Sequence, residues 1–295
     1  MNSDVNFSTG QRKKIGLAIS GGFIRATAAI GVIEVLMENN IPIDIVSGCS
    51  SGAAIAASYS AGTMSNLKKR LIEGSKKDFW KVIFEPTIPK KGLLKGERNQ
   101  KFFEEFVGDK NFCDLEKKVF ITATDLITMK EVIISEGRVG EAIRVATTVP
   151  GIFVPIKKDG KILIDGANFN MIPSKVLYQN GAEYVIAVFS GQRPSLITRF
   201  LSNFKKLKKR DDLVEAKQIS GVEDLNIFQL IWRTVSLSVN QITNFYHYSY
   251  PYEVLIRPDI KNVKRYHTDS VAYCIEQGRK SALEILPQIK NDLGL

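Results

Sequence analysis

Three short segments carry residue types at spacings suited to chemistry. In Ser47-Gly48-Cys49-Ser50-Ser51-Gly52, a serine stands at the centre of Gly-x-Ser-x-Gly. That pattern builds a sharp strand-to-helix turn and presents the serine hydroxyl above a helix N-terminus. The helix dipole there favours developing negative charge, so Ser50 is a candidate nucleophile. Gly48 and Gly52 are small enough to let strand and helix approach closely. A glycine-rich turn with an incidental serine is the competing account. Cys49 precedes the centre of the turn and is expected to pack inward rather than react.

The second segment is Ser20-Gly21-Gly22-Phe23-Ile24-Arg25-Ala26. A glycine turn that feeds a helix exposes several backbone N–H groups, which suit a phosphate or an oxyanion. Gly-x-Gly-x-x-Gly is not satisfied and no Walker lysine follows, so phosphate binding is disfavoured. A serine elbow downstream selects the oxyanion. The third segment, Lys161-Ile-Leu-Ile-Asp165-Gly166-Ala167, sets a carboxylate at a strand end, where α/β sheets keep their active groups. Taken alone, Asp165 is better read as a turn or helix cap.

These segments need a scaffold, and the chain reads as alternating strands and helices. Ile15–Ile19 is a short apolar strand. Apolar residues at helical spacing follow from about Ile24 to Met37 and stop at Asn39-Asn40-Ile41-Pro42. Ile43–Val46 is predicted as a second strand and Ser51–Ser60 as a second helix. Two strand–turn–helix units within 60 residues imply a buried parallel sheet. Further strands are predicted at Val119–Thr122, Glu131–Ser135, Lys161–Ile164, Tyr184–Phe189 and Glu253–Ile256. One or two helices are predicted over Asp269–Ile289. The expected organisation is a polar arm over 1–13, then one α/β domain over 14–290. That domain has a mainly parallel central sheet, helices on both faces, and a basic helical insertion at about 191–250.

Composition narrows the chemistry. The 295 residues are 44% hydrophobic and 24% charged, as in ordinary globular proteins. Two histidines, His247 and His267, exclude a histidine-rich metal centre, and three scattered cysteines (Cys49, Cys113, Cys274) exclude a disulfide scaffold or a CxxC zinc site. No apolar run approaches the length of a membrane span and the first 14 residues are polar, so a cytoplasmic location is expected.

The net charge of +10 points to an anionic partner, either nucleic acid or a phospholipid surface. No nucleic-acid recognition motif accompanies it. Residues 62–110 hold twelve Lys and Arg against seven Asp and Glu. At 100° per residue, Phe200, Phe204, Leu207 and Val214 share one side of a predicted helix over Phe200–Val214, with Asp211 intruding. Lys205, Lys206, Lys208, Lys209 and Arg210 take the rest. Such a helix either lies in an anionic membrane interface or covers the core with its apolar stripe.

Taken in order, Ser-Gly-Gly-x-x-Arg, Gly-x-Ser-x-Gly and Asp-Gly-Ala resemble the patatin-like phospholipase family. Ala142–Pro155, with its Thr-Thr-Val-Pro-Gly-Ile-Phe-Val-Pro, is similar to that family's segment before the aspartate strand. Asp165-Gly-Ala-Asn-Phe-Asn170-Met-Ile-Pro173 is similar to its Asp-Gly-Gly/Ala-x-x-Asn-x-x-Pro. The resemblance runs from about residue 14 to 290 and is weakest over 191–250. It implies a three-layer patatin-like fold and a lipid acyl hydrolase that uses a serine–aspartate dyad without histidine, metal or cofactor. Ser50 is the implied nucleophile and Asp165 the implied general base. The amides of Gly21, Gly22 and Phe23 are the implied oxyanion hole, with Arg25 supporting the loop. The implied substrate is a phospholipid or other acyl-ester lipid, reached peripherally on an anionic membrane, and nucleic acid is not an expected partner. Phe23 and Ala26 stand where the family usually has glycine. Two other readings remain: a non-catalytic lipid-binding protein that keeps the fold, and a Ser-His-Asp esterase using His247 or His267.

Overall fold

The computed structural model describes residues 12–88, 92–191, 245, 247–250, 252–263 and 268–295. The predicted basic helix over Phe200–Val214, His267 and most of the predicted insertion lie outside these residues. The described strands are β1 (Ile15–Ile19), β2 (Ile45–Cys49), β3 (Lys118–Asp125), β4 (Lys130–Ile134), β5 (Ile156–Lys158), β6 (Lys161–Asp165), β7 (Tyr184–Val188) and β8 (Val254–Ile256). They form one mixed sheet with the hydrogen-bonded order β5-β6-β3-β2-β1-β7-β8, with β4 also on β3. The β3–β2–β1–β7–β8 run is parallel throughout, whereas β4, β5 and β6 pair antiparallel.

Helices α1 (Ala28–Glu38), α2 (Ser51–Ser60), α6 (Val139–Ala146) and α8 (Val271–Leu293) pack on one face of this sheet, and α7 (Ser174–Gln179) on the other. The strands serve both faces because their residues alternate. In β1, Leu17 and Ile19 join the α1/α8 core while Ala18 meets the core under α7. All five residues of β1, β2 and β7 are buried, which gives the continuous apolar runs seen in the sequence. Each fully buried Leu or Ile contributes roughly 1.5–3 kcal/mol. The segment after α2 supplies α3 (Met64–Glu73), α4 (Lys76–Ile83) and α5 (Glu97–Val107). A capping box starts α4, in which the Ser75 hydroxyl accepts from the Asp78 amide at 3.2 Å and the Asp78 carboxylate accepts from the Ser75 amide.

Several boundaries differ from the sequence expectation, among them the end of β3, which runs on to Asp125. β2 begins two residues after Ile43 and runs on to Cys49, because Gly48 and Cys49 pair with Ile121 and Thr122 of β3. Tertiary pairing there overrides the weak strand preference of glycine. The helix expected from Ile24 begins instead with a 3₁₀ turn over Phe23–Thr27. The C-terminal region is one helix from Val271 to Leu293 with Pro287 inside it.

The register of β3 brings two distant strand ends together. β4 pairs with residues 121–125 of β3, so it overlaps the pairings of both β2 (118–122) and β6 (123–125). A strand has two hydrogen-bonding edges. β2 and β6 therefore share the edge opposite β4 and meet end to end. Cys49 lies beside Thr122, and Asp165 beside Ala123.

Candidate active site

Ser50 leaves the end of β2 with φ 52° and ψ −132° and becomes the N-cap of α2. A non-glycine residue in this region costs of order 1–3 kcal/mol and persists only where packing enforces it. Two glycines supply the enforcement. A Cβ on Gly48 would lie 2.5 Å from the Ala53 Cα, and one on Gly52 would lie 2.6 Å from the carbonyl oxygens of Ile19 and Ser20. Only glycine lets the start of α2 press so closely on β1 and β2. Cys49 points inward, is fully buried, and has its thiol pKa pushed up by that burial.

Asp165 closes β6 at the junction described above. The Ser50 hydroxyl donates to Asp165 Oδ2 at 2.7 Å, and both residues are buried. The other carboxylate oxygen, Oδ1, accepts the Ala167 amide at 2.8 Å. The Asp165 backbone is fixed by its N–H to the Thr148 carbonyl and by the Asn168 side chain on its own carbonyl. Gly166 is demanded by β3, since a Cβ there would meet Thr122 Oγ1 at 2.5 Å. Burial raises the Asp165 pKa from 3.8 to about 6, even though the Ala167 amide and the Ser50 hydroxyl pull it down. The carboxyl thus titrates nearer neutrality, as a general base requires. Oδ1 is thus the turn cap, while Oδ2 is turned to Ser50.

The glycine turn after β1 lies against this pair. A Cβ on Gly21 would sit 2.6 Å from the Ser50 Cβ. The Gly22 amide, expected at an oxyanion, donates to the Ser51 hydroxyl at 3.1 Å. Phe23 follows with φ 53°, the left-handed conformation that favours glycine. Arg25 is buried and donates through Nε and Nη2 to the Val263 carbonyl, which ties the turn to the segment before α8.

Sequence reasoning missed the cavity above Ser50. It is lined by Phe23, Ser50 and Ser51 at its floor, and by Leu67 and Leu71 of α3, Phe79, Val82 and Ile83 of α4, Phe102 and Phe103 of α5, and Phe153. The signal was present in residues 62–110, where Phe79/Val82/Ile83 and Phe102/Phe103 recur at helical spacing among the lysines. Of the two histidines, His267 lies outside the described residues, and His247 is described beside Tyr252. The Ser50 hydroxyl reaches Asp165 directly, with no imidazole between them, and His247 Nδ1 meets the Tyr252 hydroxyl.

A family model described as patatin-like phospholipase matches residues 17–178, more than half of the chain. The chain belongs to the patatin-like phospholipase family. Its curated relatives include "Neuropathy target esterase sws" of Drosophila melanogaster, 29% identical over 184 residues, or 61% of this chain and 13% of that protein. They also include an uncharacterized NTE family protein of Mycobacterium tuberculosis, 29% identical over 180 residues, or 60% of this chain and 30% of that one. The chain therefore spans less than a third of the length of either relative. Among solved structures, VipD from Legionella pneumophila aligns with a TM-score of 0.52 and 12% identity, covering 95% of this chain and 67% of that one. That likeness concerns the fold alone, the mixed and mainly parallel α/β sheet of this patatin-like protein.

Proposed function

We propose that this patatin-like protein is a lipid acyl hydrolase that cleaves fatty-acyl esters of phospholipids or related lipids, with Ser50 as nucleophile and Asp165 as general base. The observation that carries the reading is the 2.7 Å hydrogen bond from the Ser50 hydroxyl to the buried Asp165 carboxylate, on the floor of an apolar cavity. Asp165 takes the hydroxyl proton as Ser50 Oγ attacks the ester carbonyl. Amides of the Gly21–Phe23 turn receive the developing oxyanion, Gly22 by exchanging its bond to Ser51 for one to that oxygen. The proton passes to the leaving alcohol, and an acyl-Ser50 ester remains with its chain among Phe79, Phe102 and Phe103. Water then gives its proton to Asp165 and attacks the ester, and Asp165 returns that proton to Ser50 Oγ as the fatty acid leaves.

The cavity rim supports an anionic membrane as the place where substrate is met. α4 exposes Trp80 beside Lys76, Lys77 and Lys81, and Phe84 follows it, also exposed. Indole at a lipid interface flanked by lysines is a common interfacial arrangement. Among the described residues, no helix is long and apolar enough to cross a membrane.

The deciding experiment is a panel of phospholipid and lysophospholipid vesicles assayed for fatty-acid release with wild type, Ser50→Ala and Asp165→Asn. Loss of release in both variants is expected, together with labelling of wild type, but not Ser50→Ala, by a fluorophosphonate. Absence of labelling and turnover in the wild type would favour a lipid-binding protein that retains the fold.

A further inference from the structure

Two hairpins project past the sheet edge that holds Ser50. β3 continues three residues beyond Thr122, the partner of Cys49, before its chain turns into β4. At ~3.3 Å per residue, the turn starts roughly 13 Å beyond the nucleophile's strand end. β6 pairs with β3 up to Asp125, so the β5–β6 turn lies beside the β3–β4 turn.

The β3–β4 turn is Leu126-Ile127-Thr128-Met129, and its apolar side chains face outward. Relative exposure is 46% for Leu126, 59% for Ile127 and 78% for Met129. Three large apolar residues thus cluster in one four-residue tip. Three of the four amides of that tip are paired from within. The buried Asp125 carboxylate accepts the amides of Ile127 at 3.1 Å and Thr128 at 3.3 Å, and the Thr128 hydroxyl at 2.8 Å. The Leu126 amide donates to the Ile162 carbonyl at 2.8 Å. Amides paired in this way need no water, which lowers the cost of carrying the turn into a low-dielectric phase.

A collar of lysines surrounds the tip. Lys130 starts β4, Lys157 and Lys158 end β5, and Lys161 starts β6, all exposed. Asp159 is the acidic residue in the β5–β6 turn, and Lys158 also pairs with Glu141 at 2.8 Å. Apolar side chains at the tip and ammonium groups one turn behind match the layering of acyl chains under anionic headgroups.

We propose that the paired β3–β4 and β5–β6 turns are a membrane-docking element that inserts Leu126, Ile127 and Met129 into an anionic leaflet while Lys130, Lys157, Lys158 and Lys161 contact lipid phosphates. The direction in which this element presents the enzyme rests on the lipid-hydrolase reading above; its binding to vesicles does not.

Co-sedimentation of the full chain with phosphatidylcholine vesicles, with and without 30 mol% phosphatidylserine, tests the element. The catalytically silent Ser50→Ala background separates docking from turnover. The expected result is salt-sensitive binding to the anionic vesicles, weakened at least tenfold by Leu126→Ser/Ile127→Ser/Met129→Ser and by changing the four lysines to glutamine. Hydrolysis of a soluble short-chain ester by the same tip variants in the Ser50 protein should be unchanged. Ile127→Trp provides a gain readout: its added emission should shift to the blue on vesicles and be quenched by brominated acyl chains. Unchanged vesicle binding in the serine variant, or an Ile127→Trp indole that brominated chains do not quench, would overturn the proposal. So would a dimer in vesicle-free solution that the serine substitutions dissociate, since a second copy would then cover the tip. If the wild type hydrolyses no ester but the tip binds and inserts, the catalytic reading fails and the docking element stands.

Discussion

The backbone amide of Gly22 donates to the hydroxyl of Ser51 at 3.1 Å, one residue along the chain from Ser50. The amide best placed by sequence to meet an oxyanion therefore already has an acceptor. An anionic oxygen is a stronger acceptor than a neutral hydroxyl, so on the proposed mechanism the intermediate displaces Ser51 at the cost of about 1 kcal/mol, the net worth of an ordinary hydrogen bond. Ser51→Ala removes the competitor and is expected to raise kcat up to roughly fivefold with little change in KM. Steady-state kinetics on a soluble ester checks this. A fall in kcat instead would mean that the Ser51 hydroxyl itself donates to the oxyanion.

On the proposed mechanism Asp165 sets the pH dependence. Its pKa is raised to about 6 by burial, and only the carboxylate can accept the Ser50 proton. The expected kcat/KM profile falls tenfold per pH unit below about pH 6 and is flat above it until other groups titrate. An acid limb centred near 4 would show that substrate entry or solvent relieves the burial.

The same shift has a stability consequence. Because the folded pKa lies above the unfolded one, the folded state binds more protons between about pH 4 and 6. Stability attributable to this group is therefore lost as pH rises through that window. Two pKa units correspond to about 3 kcal/mol of penalty for holding the buried charge. Asp165→Asn can still accept the Ala167 amide, and it carries no charge. It is expected to be inactive yet to unfold at a higher temperature than wild type at pH 8, with the gap closing towards pH 4. Thermal denaturation at both pH values tests this, and an equal gap at both would assign the change to packing instead.

The parts of this site visible in the sequence are those that local pattern encodes. Ile15–Ile19 and Ser51–Ser60 are a strand and a helix with the expected bounds, because an apolar run and an alanine-rich segment need no distant partner to declare themselves. Gly48 and Gly52 were legible as close-approach residues for the same reason. The contact between Ser50 and Asp165 spans 115 residues and depends on β2 and β6 meeting on one edge of β3. No spacing encodes that junction, and only the family resemblance paired the two residues. The Gly22–Ser51 bond was invisible because it depends on a side-chain rotamer, and the Arg25–Val263 brace because its acceptor is a backbone carbonyl 238 residues away. The α4–α5 cavity wall was hidden behind the basic charge of residues 62–110, although its aromatic spacing was in plain view.

Phe23 offers the last test, because its backbone and its ring make opposite demands. Its φ of 53° costs a side-chain-bearing residue roughly 1–2 kcal/mol that glycine would not incur. Its half-buried ring, however, lines the cavity beside Ser50 and contributes apolar contact there. In Phe23→Gly the strain relief offsets the lost contact, so the melting temperature is expected to move little. The space released next to the nucleophile accommodates more of an acyl chain, and each additional buried methylene is worth about 0.8 kcal/mol. Two more methylenes would raise the kcat/KM ratio of a sixteen-carbon over an eight-carbon ester by roughly tenfold. Chain-length profiles of wild type and Phe23→Gly measure that ratio directly. An unchanged ratio would show that the ring packs against the turn without bounding the acyl channel, whereas a large loss of thermal stability would show that its contacts outweigh the strain they impose.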